Sequence, residues 1–134
     1  MRRVLMRPIG LILAGLGSMA GAQPADWQTA PHIRVELSNF HFVPENIVLE
    51  HGRAYVLDIV NVASGGHNFA APDFFRAAQV VPEDARLIEK GVIEVDGHSQ
   101  RAIHITAPPA GHFALRCSHF LHSGFGMKGE LDVR

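Results

Sequence analysis

The chain has 134 residues, with 12 basic and 13 acidic side chains and a formal net charge of −1 when histidine is neutral. That length suits one domain around one core, and without a basic stripe there is no footprint for nucleic acid. Its single cysteine excludes an intramolecular disulfide.

Residues 1–22 read as a secretion signal. Arg2, Arg3 and Arg7 make a positive start, Ile9 to Leu16 a short apolar run, and Ala20-Gly21-Ala22 a small-residue cleavage site ahead of Gln23. The run is shorter and richer in glycine than the ~20 apolar residues of a spanning helix; an uncleaved anchor is the alternative. Export to a periplasm or equivalent space is expected, with no stable membrane insertion once the signal is removed. Residues 23–31 are polar and contain Pro24 and Pro31, so they read as a flexible leader.

From residue 32 to 134 the chain reads as one all-β domain. Ile33, Val35 and Leu37 alternate with Arg34 and Glu36, the period of a half-buried strand. Phe40 and Phe42 continue the alternation, Pro44-Glu45-Asn46 breaks it, and Ile47 to Leu49 is a short apolar run. After a turn at His51-Gly52-Arg53, Tyr55 to Val62 is rich in β-branched and aromatic residues. Ala63 to Gly66 reads as a small-residue loop that delivers His67. Asp73 to Arg86 has no strong period and reads as an excursion with a short helix at Phe74 to Ala78. Val92 to Val95, Arg101 to Thr106, His112 to Arg116 and Met127 to Val133 complete seven or eight strands. Turn signals between them predict a Greek-key β-sandwich.

An unpaired thiol in an exported protein needs a reason, although free cysteine is often simply buried in a core. Here Cys117, His122 and Met127 are separated by four residues each, and His67 lies far upstream. A thiolate, two imidazoles and a weak thioether are the donor set of a mononuclear blue-copper electron-transfer site. His119 is a second imidazole beside Cys117 and a competing ligand. Zinc accepts the same cysteine and histidines. A thiol enzyme, with Cys117 as nucleophile and a neighbouring histidine as base, is a third reading that leaves Met127 unused. His32, His41, His51, His98, His104 and His112 form no tight pair on one element and read as surface histidines, or as secondary copper capture.

Three stretches, Phe40 to Gly52, Val60 to Phe69 and Cys117 to Val133, resemble the small cupredoxins of the plastocyanin and azurin superfamily. The resemblance implies that His67, Cys117 and His122 are equatorial copper ligands and Met127 the axial one. It implies that the Asn68 amide hydrogen-bonds the thiolate while its side chain pins the two ligand loops, and that the Gly66 carbonyl approaches the metal. The Cys-to-His gap is similar to that of azurins and rusticyanins, the His-to-Met gap to that of plastocyanins and rusticyanins. The implied activity is that of a non-enzymatic, monomeric one-electron carrier cycling Cu(II)/Cu(I) with redox partner proteins. The alternative is a protein for copper resistance, buffering or delivery, exchanging copper with donors and acceptors.

Overall fold

The computed structural model describes residues 24–120, 122 and 124–134. The signal read over residues 1–22 lies outside the described residues, as does Leu121. Among the described residues the order is β1 (His32–Ser38), β2 (His41–Val43), β3 (Asn46–Leu49), β4 (Ala54–Asn61), β5 (His67–Ala70), α1 (Pro72–Ala77), β6 (Gln79–Val80), α2 (Pro82–Ala85), β7 (Val92–Val95), β8 (Gln100–Thr106), β9 (Gly111–Arg116) and β10 (Lys128–Val133).

Two sheets face each other, in the orders β2-β1-β4-β8-β6 and β3-β10-β9-β5-β7. The pairs β1/β4 and β3/β10 are parallel and the rest antiparallel. The fold is therefore the all-β Greek-key sandwich expected. Alternation explains its core. Val35 and Leu37 of β1, Leu57 and Ile59 of β4, and Ile103 and Ile105 of β8 point inward from one sheet, fully buried. Phe69, Ile93, Val95, Leu115 and Leu131 meet them from the other, with Phe74 of α1 closing one side. Each such side chain contributes about 1.5–3 kcal/mol by leaving water.

Among the described residues ten strands replace the seven or eight read from the sequence, because short pairings leave little periodic signal. Phe40 does not extend the β1 alternation: it lies in a turn, and β2 folds back antiparallel on β1 with Ser38 opposite His41. After Pro44 the chain crosses sheets, so β3 runs parallel to β10. His67, expected on a loop, opens β5 opposite Val95 of β7. The excursion holds two helices and the edge strand β6, which pairs with β8 through only two residues. Both helices begin with proline, whose missing N–H is unneeded in a first turn.

The bend that brings the chain from β4 to β5 is set by Asn61, which is 1% exposed. Its Nδ2 group donates to the carbonyls of Gly65 (2.8 Å), Val95 (3.0 Å) and Asp96 (3.2 Å), and its Oδ1 accepts from the Ala63 amide. The turn after β7 lies directly against this loop: a Cβ on Gly97 would collide with the Ser64 carbonyl oxygen. No flexible side chain is available there to yield. Gly97→Ala is therefore expected to destabilise the protein by about 1–3 kcal/mol, the range for overpacking, read as a lower urea midpoint. An unchanged midpoint would show that the two loops do not need this close approach.

Candidate metal centre

Strand geometry brings the ends of β5, β9 and β10 together. Ala70 of β5 pairs with Arg116 of β9, and Arg116 with Lys128 of β10. Cys117 and Met127 are the next residues on each side, and the Cys117 amide donates to the Met127 carbonyl (3.1 Å). Between them the loop is wound on His122. The His122 carbonyl accepts from the amides of Phe125 (3.2 Å) and Met127 (3.1 Å), and the His122 amide donates to the His119 carbonyl (3.1 Å). The even spacing of Cys117, His122 and Met127 thus becomes a compact loop with its imidazole returned over its two ends.

His67, Cys117 and His122 form a group whose donor atoms all lie within 4.8 Å of one another. Cys117 Sγ is 3.3 Å from His122 Nδ1 and 3.9 Å from His67 Nδ1, and the two imidazole nitrogens are 3.1 Å apart. An ion bonded at ~2.0 Å to nitrogen and ~2.3 Å to sulfur in one plane spaces its donors by about 3.5–3.7 Å. The triangle is therefore sized for a single ion, and one soft donor with two borderline ones suits copper or zinc. His67 and Cys117 are buried and His122 half-buried; Met127, also fully buried, is tied to the group through its backbone.

Around the triangle, polar groups fix the donors. The Asn68 amide points at Cys117 Sγ at 3.5 Å. Its side chain accepts from the Ser118 amide (2.8 Å) and donates to Ser118 Oγ (2.8 Å) and Glu94 Oε1 (2.8 Å). His67 Nε2 lies 3.0 Å from Asn39 Oδ1. A donor bond from Nε2 to that oxygen leaves Nδ1 unprotonated toward the group, the tautomer a metal requires. Asn39 was missed in the sequence, because nothing in its spacing joins a turn after β1 to His67. His119 lies beside the triangle, with Nε2 2.9 Å from Glu94 Oε2 and its ring 5.3 Å from that of His122. Gly66, the residue before β5, faces this ring: a Cβ there would lie 3.7 Å from His119 Cε1.

This sandwich with its cysteine and histidines at one end defines a class: the chain has a cupredoxin fold, and the His-Cys-His-Met cluster fits a type 1 copper site. No family model and no curated protein matches the sequence. Among solved structures, auracyanin B aligns with a TM-score of 0.59 at 19% identity, over 85% of this chain and 96% of its own. Auracyanin A, a blue copper protein from Chloroflexus aurantiacus, aligns with a TM-score of 0.55 at 17% identity, over 77% of this chain and 98% of its own. The multicopper oxidase McoA from Aquifex aeolicus aligns with a TM-score of 0.61 at 17% identity over 84% of this chain, which spans only 31% of that enzyme.

Burial pushes the His67 imidazole below its ordinary value of 6.5, and repulsion from His122 and then His119 adds to the effect. The sign follows from linkage. Below the ordinary value the unfolded chain takes up a proton that the folded chain resists, so stability is full above it and is lost as pH falls. The metal-free protein is expected to have a lower urea midpoint at about pH 5 than at about pH 7.5. His67→Gln should flatten that fall; an equally steep fall in the variant would assign it to other groups.

Proposed function

We propose that this chain is an exported mononuclear copper protein that works as a monomeric one-electron carrier, in a periplasm or equivalent space. The observation that carries this reading is the triangle of His67 Nδ1, His122 Nδ1 and Cys117 Sγ, closed to the size of one ion. Copper bound there supplies a Cu(II)/Cu(I) couple. His67, Cys117 and His122, with Met127, would hold it. The protein's own task is to keep those donors still. Asn68 holds the thiolate, Asn39 holds His67, and the loop hydrogen bonds hold His122, so a change of charge need not move them.

Access is one-sided. His67, Cys117 and Met127 are sealed, whereas the His122 ring reaches toward the surface edge-on to Phe40, with ring centroids 5.2 Å apart. Phe40 packs in turn against Phe125, which is 64% exposed, and Phe120 is 88% exposed. An apolar rim beside the one half-buried ligand suits brief docking by a redox partner, since transient electron-transfer contacts are small. Enclosure of the thiolate favours retention of the metal over delivery, and it denies a substrate the approach that a nucleophilic Cys117 would need.

The copper-loaded protein is expected to show an intense sulfur-to-copper charge-transfer band and a mononuclear Cu(II) EPR signal, both absent in Cys117→Ser. A colourless complex, or a preference for zinc under competition, would overturn the copper reading. Met127→Leu should keep a coloured site and raise its reduction potential in voltammetry, because a donor that stabilises Cu(II) is lost; an unchanged potential would remove Met127 from the donor set. A carrier should keep its copper through repeated redox cycles, whereas loss of Cu(I) to a weak acceptor would favour copper delivery.

A further inference from the structure

The loop that supplies His122 carries a second imidazole close enough to compete with it. The His119 and His122 ring centroids are 5.3 Å apart, and the His119 ring lies over Gly66, immediately before His67. His119 is also near enough to His67 to help depress its basicity. A loop with two imidazoles beside one thiolate has two ways of completing a three-donor set. Only one of them joins the triangle.

The other imidazole is bonded to a carboxylate, which fixes where its ring sits. Glu94 stands on β7 directly opposite Asn68 of β5. One oxygen accepts from Asn68 Nδ2 at 2.8 Å and the other lies 2.9 Å from His119 Nε2. An isolated surface pair of this kind loses much of its value to the freedom of its long side chains. Here the carboxylate is already ordered by Asn68, which is itself buried and bonded twice to Ser118. Glu94 is thus fixed on the same residue that serves the thiolate, and it engages the rival imidazole at Nε2.

We infer that Glu94 is a positioning residue that selects His122 over His119 as the loop's metal ligand. This rests on the copper reading above and concerns which donor completes the site. Glu94 touches none of the three donors; it acts through His119. Its side chain is 63% exposed, so shortening it opens no cavity in the core.

The test uses the protein titrated with Cu(II), read by visible absorption, EPR and binding affinity, with circular dichroism to verify folding. Wild type should show the charge-transfer band, and its absence would overturn the copper reading and this inference together. With that band in hand, His122→Ala should bind copper weakly, because His119 stays with Glu94. Adding Glu94→Leu should release His119, tighten binding by roughly fivefold, the value of one favourable surface pair, and bring back an intense band with a second histidine nitrogen coupled in EPR. That gain should vanish when His119→Ala is added. Glu94→Gln in place of Glu94→Leu should keep His119 held, since the amide can still accept from Asn68 and bond a neutral imidazole. The inference is overturned if His122→Ala alone already recruits His119, if Glu94→Leu adds nothing to it, or if the gain survives His119→Ala.

Discussion

The structure turns on one asparagine. Asn68 sits at the second position of β5 with its backbone amide aimed at the Cys117 sulfur and its side chain spread over Ser118 and Glu94. These bonds link β5 to the end of β9 and to β7, the strands that must agree if a thiolate is to be met by imidazoles. A buried polar group is costly unless its bonds are made. Asn68 is 1% exposed and both polar groups of its side chain are bonded, which favours this register. Among the described residues no buried side-chain nitrogen or oxygen lacks a partner.

Asn61 has the matching role at the preceding bend. It is as buried as Asn68 and directs its amide to carbonyls of its own loop, of the end of β7 and of the turn after it. The two asparagines therefore bracket the segment that ends in His67, one fixing how the chain arrives and the other how it leaves. Gly97 lets the neighbouring turn lie against that segment. Rigidity at His67 is thus a property of packed backbone, as the proposed electron carrier would require.

The two sides of the site differ in character. One is apolar: Phe40 stands edge-on to His122 and packs against the exposed Phe125. The other is polar, with Glu94, His119, Ser118 and Asn68 in one hydrogen-bonded group. Apolar surface sheds water readily on brief contact, while the polar side holds the loop in one conformation. The proposed docking surface and the proposed positioning group thus involve different residues around one short loop.

Much of this was open to reading in the chain itself. Alternation at Ile33 to Leu37, Val92 to Val95 and Arg101 to Thr106 shows in any strand with one face in a core, because successive side chains point to opposite sides. The spacing of Cys117, His122 and Met127 on one loop was legible too, and the structure gathers the first two with His67. The crossing from β2 to β3, the two-residue β6 and the placing of His67 at the head of β5 were not, because pairings of two to four residues carry little periodicity. Nor could spacing choose between His119 and His122, or find Asn39 and Glu94. Those roles depend on which residues of distant strands come to lie opposite one another, and that is settled only when the two sheets close on their common core.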